Sequence, residues 1–111
     1  MLERMFDIVN VRQAQALVAR GVQVIDVRDH AEWARNHIPG ARLMSLAKLR
    51  TSPNELSKSG VLFVCARGLR SQTAARVAIE AGVTKVYSLA GGTHAWEHEG
   101  LPMTRELSVA V

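Results

Sequence analysis

The residues of this chain best equipped for chemistry lie together, in Cys65-Ala66-Arg67-Gly68-Leu69-Arg70-Ser71. Cys65 is the only cysteine, and it directly follows the apolar run Val61-Leu62-Phe63-Val64. A lone cysteine in that position is commonly a small buried hydrophobe. The residues after it argue for a reactive thiol, because a glycine-containing loop with two arginines, leading into a serine able to cap a helix, is hard to justify as packing. Loop amides and the first amides of a helix can converge on one point and form an anion cradle. A sulfur at its focus would be held as thiolate by the helix start and by Arg67 and Arg70, with a pKa below the free value of about 8.5. Such a thiolate needs no separate base. Cys65 is therefore the candidate nucleophile, and Ala66, Arg67, Gly68, Leu69, Arg70 and Ser71 are the candidate residues for holding an anionic substrate.

Positioning that loop requires a strand before it and a helix after it. Val22 to Val27 and Val61 to Cys65 are short, branched and almost wholly apolar, the pattern of parallel strands covered on both faces. A third strand is expected at Lys85 to Leu89 and a short one at Ala41 to Met44. Helices are expected at Val11 to Arg20, with Asn10 as N-cap and Gly21 as stop, and at Gln72 to Glu80, with Ser71 opening and Gly82 closing. A further helix, His94 to Glu99, fits between the Gly91-Gly92 turn and Gly100-Leu101-Pro102. Lys48 to Gly60 reads as a connector with a short helical turn. Strand and helix alternate, which predicts an α/β fold around a mostly parallel sheet. In such sheets ligands collect outside the carboxyl ends of the strands, where Cys65 falls.

The chain's 111 residues suit one domain. Residues 1–111 are read as that domain, with a core of about 7–103 and a peripheral tail at 104–111. A single cysteine excludes an internal disulfide, a C-x-x-C redox pair and a cysteine-rich zinc site. The free thiol suits a reducing compartment. Glu3, Arg4 and Asp7 interrupt the apolar start, which lacks the core of a secretory signal. No apolar run approaches the ~20 residues of a membrane span. A cytoplasmic protein that neither binds nor crosses membranes is the resulting expectation. The net charge of +4 is spread over arginines interleaved with acids, without the basic stripe of a nucleic-acid surface. A mild positive field can still draw small anions to a site.

Several stretches together resemble the single-domain rhodaneses, the thiosulfate sulfurtransferases. In the first half they are Ile25-Asp26-Val27-Arg28, Glu32-Trp33 and Asn36-His37-Ile38-Pro39-Gly40-Ala41. In the second half they are Cys65-x-x-Gly68-x-Arg70-Ser71, Ala74-Ala75, Gly82, Val86-Tyr87-Ser88-Leu89-x-Gly91-Gly92, Trp96 and Gly100-Leu101-Pro102. Their order and spacing match from about Asp7 to Met103. Where the family reads Gly before the histidine of its Gly-His-Ile-Pro-Gly-Ala turn, this chain has Asn36. Asparagine tolerates left-handed backbone nearly as well as glycine, so the turn is expected to survive.

The resemblance implies a rhodanese-like sheet of about five strands with helices on both faces, and a persulfide relay. Cys65 would take sulfane sulfur from thiosulfate, expel sulfite, and pass the sulfur to cyanide or a cellular thiol. No metal or organic cofactor is required. Arg67 points to a strongly anionic donor, since relatives that use mercaptopyruvate tend to carry small uncharged residues in this loop. A second reading is a persulfide carrier or interaction module loaded by a sulfur-relay protein partner. A third, phosphatase or arsenate reductase, is opposed by loop length: Cys65 to Arg70 spans six residues, where phosphatase relatives of this fold use Cys-x5-Arg. Asp26 is expected to serve structure, through local hydrogen bonds or pairing with an arginine, rather than join the chemistry. His94 and His98, at i, i+4 spacing but without further ligands of matching spacing, are expected to be surface or packing histidines rather than a metal pair, His37 a turn anchor, and Trp33 and Trp96 core residues. The Gly91-Gly92 turn is expected to bring backbone close to the Cys65 loop.

Overall fold

Val61–Val64 is wholly apolar and wholly buried, and the sheet is organised around it. The computed structural model describes residues 6–106. Its strands are β1 (Phe6–Val9), β2 (Gln23–Asp26), β3 (Arg42–Leu43), β4 (Val61–Val64) and β5 (Val86–Leu89). They form one sheet in the order β1-β5-β4-β2-β3, and every pairing is parallel. The helices are α1 (Val11–Ala19), α2 (His30–Arg35), α3 (Leu46–Thr51), α4 (Arg70–Glu80) and α5 (Gly92–His98), with a 3-10 turn at Pro53–Glu55.

The period of two along β4 sorts the core into two layers. Val61, Phe63 and Cys65 pack with Leu49 of α3 and Ala74, Ala75 and Ala78 of α4. Leu62 and Val64 face the other way, toward Ala14 and Leu17 of α1 and Trp96 of α5. A strand buried on both sides cannot alternate polar and apolar residues, which explains its continuous hydrophobic run. Small alanines on α4 let that helix lie close to the sheet, fixing the start of α4 near the end of β4.

Three elements go beyond the sequence expectation. β1 pairs with β5 from Phe6↔Val86 to Val9↔Leu89, although Asp7 interrupts its apolar pattern. As an edge strand it has buried ends and exposed middle residues. α2 is set by the capping box of Asp29 and Glu32, each side chain bonded to the other's amide. α3 begins at Leu46, capped by Ser45, two residues before the expected connector. Ser71 is not the N-cap of α4; the helix starts at Arg70, two residues before the expected Gln72, and Leu69 occupies the cap position without a side-chain bond.

Asn36 is also placed differently from expectation. Its backbone is extended, with φ −163° and ψ 148°, so left-handed tolerance is not what this position uses. Thr104 and Glu106 are exposed yet anchored by backbone bonds, Thr104 exchanging both with His37 at 2.7 and 2.8 Å and Glu106 donating to Ala34 at 3.0 Å. Residues 1–5, and residues 107–111 of the expected tail, lie outside the described residues.

Beside β4, the end of β2 carries a buried ion pair. Arg28 Nη2 lies 2.8 Å from Asp26 Oδ2, its Nε contacts both carboxylate oxygens, and its Nη2 also donates to the Asn36 carbonyl at 2.6 Å. Both residues are buried. The pair ties β2 to the turn after α2, as expected of a structural Asp26. Removing one partner from such a pair leaves an uncompensated charge, which costs about 3–5 kcal/mol. Arg28→Met should lower the unfolding free energy by about that amount in urea denaturation; a loss below about 1 kcal/mol would show that Asp26 does not depend on Arg28.

Candidate active site

Immediately after β4 the chain turns its carbonyls toward α5. The Cys65 carbonyl accepts from Thr93 N–H at 2.8 Å, and the Ala66 carbonyl accepts from His94 N–H at 3.0 Å. This close approach is possible because residue 92 is glycine. A Cβ on Gly92, whose φ is +60°, would lie 2.1 Å from the Cys65 carbonyl oxygen and 2.5 Å from two Ala66 backbone atoms. The expected proximity of the Gly91-Gly92 turn to the cysteine loop is thus a direct backbone contact. Gly68, at φ +100°, is similarly confined, since its Cβ would stand 3.1 Å from Gly91 N. Gln72 Nε2 donates to the Gly68 carbonyl at 3.2 Å, fastening the loop to α4.

With those carbonyls engaged, loop amides face the sulfur. Gly68 N–H donates to Cys65 Sγ at 3.1 Å and Ser71 N–H at 3.3 Å. Ser71 Oγ lies 3.5 Å from Sγ and 2.8 Å from Ser88 Oγ. A thiolate can therefore accept from the Ser71 hydroxyl while Ser88 donates to Ser71. Burial pushes the Cys65 thiol up, since the residue is only 1% exposed. Hydrogen bonds from the Ser71 hydroxyl and from the amides of Ser71, Gly68 and Arg67 outweigh that effect and hold the thiol below its ordinary value.

Arg70 is engaged differently from the sequence expectation. Arg70 turns to α2, where Nη1 and Nη2 meet the two Glu32 oxygens at 2.9 and 3.2 Å. Its own protonated state is favoured chiefly by that bond, against partial burial, with the charge of Cys65 a lesser influence. The Glu32 carboxyl is lowered to about 2, first by the bond from Arg70 and also by the Asp29 amide, against its desolvation. Because this carboxyl is depressed when folded, the pair's stabilisation is present above the ordinary value of 4.5 and is lost as pH falls toward 2. Partial exposure keeps it to about 0.2–1 kcal/mol. Arg67 is exposed and has no ion pair among the described residues, while Leu69 is 77% exposed. Cys65, Gly68 and Ser71 thus meet at the sulfur, Ala66 bonds to α5, and the side chains of Arg67 and Leu69 face solvent.

Glu32 and Ser88 were not among the candidate residues, and both act through neighbours. Glu32 could be found from its capping box, but its partner is 38 residues away; Ser88 is a polar residue in an otherwise apolar strand, a signal beside its place in the family resemblance. His37 is buried, donates from Nδ1 to the Trp33 carbonyl at 2.7 Å, and stacks on the Trp33 ring at 4.2 Å. Trp96 is a core residue, whereas Trp33 is only half-buried. His94 and His98 are exposed. No cluster of three His, Cys, Asp or Glu residues suited to a metal occurs among the described residues. No described helix is long and apolar enough to cross a membrane.

A family model described as Rhodanese-like domain matches residues 10–99, a span that contains the whole loop and both strands beside it. The chain belongs to the rhodanese-like domain family. Thiosulfate sulfurtransferase GlpE of Coxiella burnetii (strain RSA 331 / Henzerling II) is 37% identical over 79 residues, covering 70% of this chain and 74% of the relative. The crystal structure of a thiosulfate sulfurtransferase from Pseudomonas aeruginosa aligns with a TM-score of 0.81 at 26% identity, covering 95% of this chain and 21% of that one. A Rhodopseudomonas palustris protein of unknown function, RPA3614, titled a possible tyrosine phosphatase, aligns with a TM-score of 0.73 at 28% identity, covering 89% and 85% of the two chains.

In this rhodanese-like domain, alkylation of Cys65 followed against pH should give an apparent pKa below the free-thiol value of about 8.5. Ser71→Ala removes the hydroxyl and keeps the amide, and should raise that pKa, because one hydrogen bond to the charged sulfur is lost. An unchanged value in the variant would show that the amides alone hold the thiolate.

Proposed function

We propose that this domain is a sulfurtransferase that takes sulfane sulfur from thiosulfate through a persulfide on Cys65. The observation that carries the reading is the Sγ position, with two loop amides within 3.3 Å and the Ser71 hydroxyl at 3.5 Å. In the first step the thiolate attacks the outer sulfur of thiosulfate. A bond forms between Sγ and that sulfur, the S–S bond of the donor breaks, and its electron pair leaves with sulfite. The enzyme retains Cys65–S–S⁻. A second nucleophile, cyanide or a thiol, takes the outer sulfur and returns the electron pair to Sγ.

The donors around Sγ are aligned before the reaction, so they can hold charge on sulfur without reorganising. Cys65 is nearly enclosed, which favours a donor that presents a single terminal sulfur atom. Arg67, two residues after the thiol and without an ion pair among the described residues, is the cation suited to a sulfonate. Arg70 is assigned to orienting the loop through Glu32, and contacts the substrate only by exchanging that partner. The remaining loop residues supply amides, with Ser71 supplying its hydroxyl as well. We assign no cofactor to this cycle.

A second reading, a carrier loaded by a partner protein, draws on Leu69, whose exposed apolar side chain stands between Arg67 and Arg70 at the mouth of the loop. The phosphatase reading is opposed by the loop itself. Six residues from Cys65 to Arg70 close around the sulfur, and the arginine that would face a phosphate is bonded to Glu32.

Brief incubation with thiosulfate should add the mass of one sulfur atom to the protein, and cyanide should remove it, both read by intact-protein mass spectrometry. Cys65→Ser should fold and show neither change. An unmodified native protein, under conditions that load a known rhodanese, would rule out thiosulfate as donor. The native protein should also hydrolyse aryl phosphates negligibly, and a residue inserted between Gly68 and Leu69 should abolish sulfur transfer, since displacement by about an ångström can lower a rate about a hundredfold. Phosphate-ester hydrolysis comparable to sulfur transfer would reopen the phosphatase assignment.

A further inference from the structure

The depression next to the cysteine loop is lined by Arg67, Gly91, His94, Ala95 and His98, with a volume of about 380 Å³. No carboxylate is among its lining residues. Glu97, the acid nearest on α5, turns to Asn36, whose Nδ2 approaches it at 3.4 Å, and Glu99 lines a separate depression with Asn10 and Arg12. A larger one, about 450 Å³, lies at the amino ends of β4 and β5 around Leu56, Lys58 and Val83, away from the thiol.

We propose that the Arg67, His94 and His98 depression binds the carboxylate of the sulfur acceptor, a low-molecular-weight thiol that carries its negative charge several bonds from its sulfur. This deepens the persulfide reading and rests on it. The volume falls in the range of about 300–1,000 Å³ typical of small-molecule sites, far more than a sulfonate group fills. In thiosulfate the anionic oxygens lie one S–S bond from the transferred sulfur, so they must stay close to the Sγ cradle. The histidines instead form a row leading away from it. His94 begins the row, fixed by its amide to the Ala66 carbonyl, and His98 follows on the same face four residues beyond, about 6 Å further along. Each ring offers an N–H to a carboxylate oxygen, and Arg67 offers a planar fork of donors. A charge seated along this row leaves its thiol free to reach the loop.

The transfer is balanced without another reactant. The acceptor R–SH gives its proton to the outer sulfur of Cys65–S–S⁻, and the thiolate so formed attacks that sulfur, forming R–S–SH; the bond to Sγ breaks, the electron pair returns to Sγ as thiolate, and the proton stays on the transferred sulfur.

The test uses the full chain loaded with persulfide, by thiosulfate in one preparation and by polysulfide in another, and follows single-turnover discharge to two matched thiols. Mercaptopropionate carries the carboxylate and mercaptopropanol lacks it. The native protein should discharge to mercaptopropionate about three- to tenfold faster per thiolate, the scale of exposed charged contacts. In the double variant His94→Ala, His98→Ala, which removes both ring donors at exposed positions, that ratio should fall toward one. A native ratio near one, or a ratio unchanged in the variant, overturns the site. Failure of thiosulfate alone to load the protein bears on the donor, because polysulfide-loaded protein still reports the ratio. A protein that neither reagent loads overturns both this site and the persulfide reading.

Discussion

Two backbone hydrogen bonds, from Thr93 and His94 to the carbonyls of Cys65 and Ala66, govern the geometry of everything around the thiol. A peptide whose carbonyl is held on one side presents its neighbours' amides on the other, and a loop that keeps its carbonyls occupied can surround an anion with N–H groups. Gly92 permits the approach, because any side chain there would meet the Cys65 carbonyl at an impossible distance. The tight packing of α4 alanines against β4 supplies the other wall. The thiol is thus defined from both layers of the core: α5 orders the loop from one face, and α4 delivers the Ser71 amide and hydroxyl from the other.

The electrostatics follow from that geometry. Dipoles at about 3 Å, in a nearly enclosed place, act more strongly than guanidinium groups that reach into solvent. Burial alone would protonate the sulfur; the donors around it reverse the balance. Arg70 is held by Glu32, which in turn is held by the capping box that starts α2. The end of the cysteine loop is therefore tied to the segment following β2. Next to it the Asp26–Arg28 pair fastens that same segment to the sheet. Acidic residues here set positions, and none is among the residues that line the depression of Arg67, His94 and His98.

Much of this was legible in the sequence, and the exceptions have specific causes. β2, β4 and β5 were visible because strands covered on both faces carry continuous apolar runs. α1 and α4 were visible through periodicity and glycine stops. β1 was not, because an edge strand with exposed middle residues loses that pattern. α2 has no buried residue and so no apolar stripe; its signal was the Asp29–Glu32 capping spacing. Ser71 had the right type and nearly the right place for an N-cap, but its hydroxyl is drawn inward by Ser88 and the sulfur, a competition that local sequence does not contain.

By itself the sequence determined that a single thiol ends a buried strand, in a six-residue loop with an arginine at the sixth place, and that an α/β sheet carries it. These are properties of residue order and short-range periodicity. The tertiary structure alone decided which donors reach the sulfur, that Arg70 belongs to Glu32, and that His94 and His98 stand beside Arg67. Each depends on contacts between residues far apart in the chain, whose meeting is set by the strand order β1-β5-β4-β2-β3 and by where a side-chain-free glycine lets two backbones touch.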